Sequence, residues 1–204
     1  MNTGWQWIDP LLTQWPNNPR YVVVRYVCFP TGKLNFSTQH ATVMQPNIGL
    51  EQDVLKKDNE LLNAFLADLH VLYIKTRKFH WDVAGPSFKE YHEFFQEQYE
   101  ALEEEIDQVA ERIRQLGGRP VATMKDFLSH SSLKEDHDGH IHTQDMFKRL
   151  LADHEQIIRE LRDDVKTTDE DLEDAGTADF LTGLMEAHEK MAWMLRKYLS
   201  DERG

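Results

Sequence analysis

Apolar residues recur at steps of three and four positions from about residue 51 onward, and this spacing predicts amphipathic helices. A first helix is expected over 51–80, and Gly85-Pro86 separates it from a second helix over 86–116. Gly117-Gly118 ends the second helix. The apolar positions expected to face the core are Leu55, Leu62, Leu66, Leu69 and Tyr73 in the first helix, and Phe95, Tyr99, Leu102, Ile106, Val109, Ile113 and Leu116 in the second.

The second half of the chain repeats this pattern after a polar connection over 119–141, in which a short helix is expected near 124–129. A third long helix is predicted over 143–166. Thr177 is the predicted N-cap of a fourth helix that ends near Leu199. Four long helices with one long central connection predict an all-α four-helix bundle. The core positions expected in the third helix are Met146, Leu150, Ile157 and Leu161.

Residues 1–43 differ from the rest of the chain, because they are rich in Trp, Pro, Asn and Thr and show no helical periodicity. The stretch 21–29 (YVVVRYVCF) is a good strand candidate, but one strand without a partner does not make a domain. Two interpretations stay open. The segment is either an irregular extension, partly ordered on a neighbouring surface, or sequence upstream of a true start at Met44. Residues 44–204 form the helical domain.

Composition narrows the classes of protein to consider. The net charge of −13 argues against nonspecific affinity for nucleic acid or an anionic membrane. Cys28 is the single cysteine, which excludes a disulfide framework and fits a reducing compartment. No stretch approaches the roughly 20 apolar residues that span a bilayer, so no membrane contact is expected. These features predict a soluble cytoplasmic protein.

Candidate metal chemistry lies on the second helix, where His92 stands near the start and Asp107 and Glu111 lie one turn apart near the end. Asp107 is about 22 Å from His92 along the axis, at about 1.5 Å per residue. Ligands of one metal ion lie within about 2–2.6 Å of it, so these residues cannot share a site within one chain. If two copies of the helix ran antiparallel and crossed near Glu100, His92 of one would face the acidic pair of the other.

The polar side of the second helix supports this interpretation without deciding it. Gln96, Asp107 and Glu111 follow His92 in a line about a third of a turn from the core stripe. Acidic residues on a helix most often form a plain solvated face, and on spacing alone that alternative stays open. A di-iron site inside one bundle needs Glu three residues before His, and no histidine of this chain has one. That absence favours a site between subunits.

Two runs of sequence closely resemble the Dps family, the mini-ferritins named for DNA protection in starved cells. One run covers 62–120 and the other is GTADFLTGLMEAHEKMAWMLRKYL near the end of the chain. The specific elements are HW, a second histidine twelve residues after the first, and D-x-x-x-E running into AERIRQLGG. The resemblance covers about 44–204.

The resemblance implies a dodecameric shell of ferritin-like four-helix subunits around an iron-storing cavity, with a ferroxidase centre at each two-fold interface. His80 and His92 of one subunit match the family's histidine ligands, and Asp107 and Glu111 of the other match its acidic ligands. Family members oxidise Fe(II), commonly with hydrogen peroxide, and store ferric mineral. Imidazole and carboxylate suit both oxidation states of iron. Trp81 resembles the family tryptophan near the centre, where it would absorb stray oxidising equivalents or simply pack.

One position departs from the family pattern, because many members place Asp four residues after the second histidine and this chain has Gln96 there. A neutral amide is a weaker iron ligand, so the second iron position is expected to be weak. The competing function is a structural or DNA-compacting shell with a weakened ferroxidase centre. DNA binding is not expected, because the basic residues of 1–43 are only Arg20, Arg25 and Lys33.

Three further groups are weaker candidates. The histidines of the HDGHIH segment could bind a transition metal or form a plain polar loop; they are His137, His140 and His142. Two histidines are expected inside the bundle or at an interface, His154 and His188. Three acidic residues fall where the family has the pore through which iron enters, and a solvated helix face is the equal alternative; they are Glu160, Asp163 and Asp164.

Overall fold

The computed structural model describes residues 44–200. The extension predicted over 1–43, with its strand candidate and Cys28, lies outside the described residues. Residues 44–200 form five α-helices and no strand, which confirms the all-α prediction for this part of the chain. The helices are α1 (Gln52–Asp82), α2 (Phe88–Gln115), α3 (Met124–His130), α4 (Thr143–Lys166) and α5 (Ala175–Leu199).

Four of the helices form a bundle, in which α1 packs against α2 and α4, and α4 packs against α5. The short α3 lies against α1, in the long connection between α2 and α4. Most of the predicted core positions are buried, and Leu62 and Leu102 have no exposed surface. Burial of one such leucine contributes about 1.5–3 kcal/mol to stability. The predicted positions Tyr73, Tyr99 and Ile106 are only half-buried. The amphipathic pattern of the sequence therefore places the core along the centre of these helices.

Glycine ends α2 as the sequence predicts. Gly117 adopts a left-handed backbone with φ of 77°, which residues with a Cβ atom rarely adopt. Its N–H donates to the carbonyl of Arg114 at 3.0 Å, and the N–H of Gly118 donates to the carbonyl of Ile113 at 2.8 Å. These two bonds form a Schellman cap, which satisfies carbonyls that the helix end leaves open.

The N-cap predicted for the last helix is wrong, because Asp174 and not Thr177 caps α5. The Asp174 carboxylate accepts the N–H groups of Gly176 and Thr177 at 3.0 and 3.1 Å. It also accepts the hydroxyl of Thr177 at 2.6 Å. A carboxylate at a helix N-terminus satisfies free amides and interacts well with the helix dipole, so α5 begins before the predicted cap.

Two other details differ from the sequence prediction. Pro86 precedes α2 rather than lying in its first turn, because the N–H of Phe88 closes a turn onto the carbonyl of Gly85 at 3.0 Å. Between α4 and α5, residues Thr167–Asp171 form a π-helical turn, which hydrophobic periodicity does not reveal. Within the described residues, no helix combines the length and the apolar character needed to cross a membrane.

Candidate metal centre

The two histidines predicted as ligands come together at the junction of α1 and α2. His80 lies in the last turn of α1, and His92 lies in the second turn of α2. Gly85, with φ of 117°, lies in the short connection between the helices, where its backbone conformation suits only glycine. The two imidazole rings stack with their centres 3.6 Å apart and their planes at 21°.

Each of these histidines is held by the backbone of the other. The Nδ1 atom of His80 lies 2.8 Å from the carbonyl oxygen of His92, and the Nδ1 atom of His92 lies 2.8 Å from the carbonyl oxygen of His80. A carbonyl oxygen only accepts hydrogen bonds, so both Nδ1 atoms carry the hydrogen. In its neutral form each ring therefore keeps a free lone pair on Nε2, which is the atom a metal ion needs.

Aromatic residues and one arginine form a wall beside the histidine pair. The edge of Tyr99 faces His80, with ring centres 5.2 Å apart. Arg77 lies over Tyr99, Tyr73 and Trp81, with its guanidinium carbon 4.9, 5.4 and 5.6 Å from the ring centres. Arg77 also donates to the hydroxyl of Tyr73 at 2.5 Å. This cluster limits the movement of His80, and the sequence did not reveal the role of Arg77.

The acidic pair lies elsewhere on the same chain. Asp107 and Glu111 are both exposed on the distal half of α2. Because α2 is continuous from Phe88 to Gln115, Asp107 is held about 22 Å from His92 along the helix axis. Among the described residues, no three His, Cys, Asp or Glu side chains are arranged to hold a metal ion. One chain thus presents two nitrogen donors in one place and two carboxylates in another.

Gln96 lies one helical turn after His92 and is partly exposed. Its side-chain amide donates to a carboxylate oxygen of Glu100 at 2.7 Å. An amide nitrogen engaged in this way cannot bind a cation, and the amide oxygen carries no formal charge. The polar line on α2 therefore has a neutral group at the position beside the histidines.

The three acidic residues of α4 do form a cluster. The pKa of Asp164 is raised to about 6, mainly by burial and next by the nearby Glu160, Asp163 and Asp68 carboxylates. Glu160 accepts a hydrogen bond from the hydroxyl of Ser132 at 3.0 Å. The crowding of negative charge is consistent with a surface that attracts cations.

The HDGHIH histidines remain on the surface. His137, His140 and His142 are all exposed, and His137 has a contact of 3.9 Å with Glu135. The loop is fastened instead by Asp136, which contacts Lys78 and Arg149 at 2.6 Å each. The side chain of Asp136 binds these two cations through its own carboxylate oxygens, so the loop has a structural anchor that needs no metal ion.

The family of the chain follows from its relatives. The family model for the ferritin-like domain matches residues 59–204. A low temperature-induced protein of Nostoc is 48% identical over 157 residues, which cover 76% of this chain and 87% of the relative. DNA protection during starvation protein 2 of Bacillus anthracis is 40% identical over 141 residues, covering 69% of this chain and 95% of the relative. The chain belongs to the Dps family.

Solved structures agree with the Dps assignment. Dps from Vibrio cholerae, described as a member of a broad superfamily of ferritin-like diiron-carboxylate proteins, superposes with a TM-score of 0.72 and 31% identity. The match covers 79% of this chain and 99% of the Vibrio chain. The predicted family and the ferritin-like bundle are thus confirmed. A dodecameric shell is consistent with Dps membership.

Proposed function

We propose that this Dps protein is a ferroxidase and iron store that oxidises Fe(II), mainly with hydrogen peroxide, at centres shared between two subunits of a dodecameric shell. The observation that carries the proposal is the divided site. His80 and His92 present two free nitrogen atoms at one end of α2, while Asp107 and Glu111 stand exposed about 22 Å and more away. An antiparallel neighbour would complete both halves at once, because a two-fold interface repeats every contact.

Iron is the substrate and the stored cargo in this proposal. The Nε2 atoms of His80 and His92 bind Fe(II), and Asp107 and Glu111 of the partner subunit supply negative charge. Neutral imidazole suits Fe(II), and carboxylate suits the harder Fe(III) product. The carbonyl groups that hold both Nδ1 atoms keep the rings in place before iron arrives, which lowers the reorganisation that binding requires.

The electron balance needs two iron ions for each peroxide. Each Fe²⁺ gives one electron, and H₂O₂ takes two electrons and two protons to become two water molecules. The resulting Fe³⁺ hydrolyses to mineral and releases protons. Because Gln96 adds no charge to the centre, we expect the second Fe(II) to bind weakly and to be oxidised as it arrives. Consuming Fe(II) and peroxide together removes the two reagents that produce hydroxyl radicals, so the protein would protect against oxidative stress.

Three further features fit an iron store in the cytoplasm. The acidic cluster of Glu160, Asp163 and Asp164 would concentrate Fe²⁺ where it enters the shell. Trp81, which is 66% exposed beside His80, would absorb stray oxidising equivalents. The single cysteine of the chain fits a reducing compartment.

A passive or DNA-compacting shell is the second candidate function, and the observation that favours it is Gln96. If the amide weakens the centre enough, the shell would form and yet oxidise iron no faster than free solution. The net charge of −13 per chain argues against DNA binding without bridging cations.

The experiment is peroxide-driven oxidation of Fe(II) by the assembled protein, followed by the absorbance of the ferric product. The His80→Ala plus His92→Ala variant should lose most of the initial rate, because it lacks both nitrogen donors. A matched control is His137→Ala plus His140→Ala, which removes two exposed histidines of the surface loop and should leave the rate unchanged. An unchanged rate in the His80/His92 variant would mean that the proposed centre is wrong. A wild-type rate equal to that of free Fe(II) would favour the passive shell.

A further inference from the structure

Two histidines that are not among the proposed iron ligands meet in the buried centre of the bundle. His154 of α4 and His188 of α5 have no exposed surface. Their Nδ1 atoms lie 2.9 Å apart. The Nε2 atom of His188 lies 3.1 Å from a carboxylate oxygen of Glu105 on α2. A line of three titratable side chains therefore joins three helices through the core.

The orientation of the rings identifies the contact as a hydrogen bond between nitrogen atoms. The ring centres lie 5.0 Å apart while the Nδ1 atoms lie 2.9 Å apart, so the two nitrogens point almost directly at each other. Two ligands of one metal ion would instead point at a shared third position. One Nδ1 atom must carry the single hydrogen between them, and the other must accept it.

The surroundings indicate which nitrogen carries which proton. The Glu105 carboxylate lies 3.1 Å from Nε2 of His188 without the geometry of a hydrogen bond. Its negative charge favours a hydrogen on that Nε2, which leaves Nδ1 of His188 as the acceptor. His154 then donates from Nδ1 and keeps a bare Nε2. That Nε2 atom is buried and has no hydrogen-bond partner, which costs less for a lone pair than for a charged N–H group. The arrangement therefore suits one neutral pair. A further proton would either form a buried charged N–H without a partner on Nε2 of His154, or oppose the N–H of His154 on the accepting Nδ1 of His188.

We propose that the His154–His188 pair is an acid-sensitive latch, which joins α4 to α5 at neutral pH and is broken when a second proton enters. A proton on the accepting Nδ1 would set two N–H groups against each other across the 2.9 Å gap. It would also place positive charge in a core where solvent cannot reach it. The helices α4 and α5 would have to separate before both Nδ1 atoms could carry a hydrogen.

Burial and the neighbouring groups decide whether the His154–His188 contact gains or loses stability as the pH falls. Burial, and next the proximity of His188, hold the pKa of His154 well below its ordinary range. The folded state then binds fewer protons than the unfolded state, so the stability is present above about pH 6.5 and is lost as the pH falls. The titratable groups facing His154 are His188 from α5 and, beyond it, Glu105 from α2, while α1 presents the uncharged ring of Phe65, 5.9 Å from the ring centre of His188.

Acidic residues elsewhere in the bundle act in the opposite direction. Burial raises the pKa of Asp58 and of Asp164 to about 6, so these two carboxyl groups favour the folded state as the pH falls. The test must therefore compare variants at each pH rather than read the wild-type curve alone. Wild type and variant share both carboxyl groups, and their difference isolates the latch.

The experiment compares wild type with His154→Leu, and with His140→Gln as a control at an exposed loop histidine. Thermal unfolding and the size of the assembly are followed from about pH 7.5 to 4.5. In wild type, backbone hydrogen exchange of α4 and α5, corrected for its intrinsic pH dependence, should speed up about tenfold per pH unit below about pH 6, since one proton separates the two states. His154→Leu should abolish that acceleration and lower the pH midpoint of acid unfolding by about one unit, while His140→Gln should follow wild type.

A second variant covers the case in which leucine does not fold at this position. His154→Gln keeps an N–H donor for His188 and does not titrate, so it should show the same resistance to acid. The proposal is overturned if both variants keep the wild-type pH dependence, or if wild-type exchange in α4 and α5 is flat through this range. None of these readouts depends on iron oxidation.

Discussion

Hybrid shells assembled from two inactive variants should regain about a quarter of the wild-type rate of Fe(II) oxidation. One variant carries His80→Ala and His92→Ala, and it keeps the acidic pair. The other carries Asp107→Asn and Glu111→Gln, and it keeps both histidines. Since α2 runs without a break from Phe88 to Gln115, neither half of the site can reach the other within one chain.

The expected value follows from two-fold symmetry. Random pairing places unlike chains in about half of the dimers, and each such dimer has two centres. One centre takes histidines and acids from the intact halves, and the other takes both damaged halves. Half of the dimers with half of their centres working gives about a quarter of the wild-type rate. A centre built within one chain predicts no activity in the same mixture.

A second mixture makes the test independent of the absolute rate. Wild-type chains are co-assembled with chains that carry all four substitutions. A shared centre then works only in wild-type pairs and again predicts about a quarter, whereas a centre within one chain predicts about a half. The assay is peroxide-driven Fe(II) oxidation of shells produced by co-expression, with subunit ratios measured by mass spectrometry. Activity of about zero in the first mixture and about a half in the second would refute the divided site.

Other substitutions test the neighbouring features. Gln96→Asp should increase the Fe(II) bound per centre in an anaerobic titration, because it replaces the neutral amide with a charged ligand, and unchanged stoichiometry would contradict this. Burial, and next Asp174, raises the pKa of Asp58 from 3.8 to about 6, so its stabilising effect is full below the unfolded value and is lost as the pH rises through 6. Asp58→Asn should therefore reduce the fall in unfolding free energy between about pH 4 and 7. The reduction should be at most about 3 kcal/mol, at about 1.4 kcal/mol per pKa unit. Parallel curves of unfolding free energy against pH for wild type and variant would contradict this. Lys75 lies 2.6 Å from Asp153 in a nearly buried ion pair. Lys75→Met should lower the free energy of unfolding by denaturant by about 3–5 kcal/mol, and adding Asp153→Leu should restore most of it. An equal loss in both variants would mean that lost packing, and not the unpaired charge, lowers the stability.

The helices were predictable because their signals are local. Spacing of apolar residues gave the core positions, and Gly117 marked the end of α2. The start of α5 was misplaced because Thr177 and Asp174 are both good caps by type. The choice depends on which side chain reaches the free amides, and the structure shows Asp174 holding two of them. The π-helical turn over Thr167–Asp171 has no sequence periodicity of its own.

The ligand residues of the candidate site were predictable from the sequence, but the contacts that hold them in place were not. Spacing on one helix separated His92 from Asp107, and the family resemblance added His80. The exchange of carbonyl hydrogen bonds between His80 and His92 depends on how two helix ends meet, which no single-helix pattern describes. The contact between His154 and His188 depends likewise on the relative register of α4 and α5, which the pattern of neither helix describes.

The separation of the two half-sites on α2 also sets the order of events during assembly. If the proposed centre is right, a lone subunit offers iron two histidine nitrogen atoms, and its described residues arrange no third His, Cys, Asp or Glu side chain with them to hold a metal ion. Newly made chains would therefore not oxidise Fe(II) until they pair with another subunit. Pairing of subunits would itself complete the centre and start Fe(II) oxidation. Ferric product would then form only at the interfaces of a shell that is already assembling.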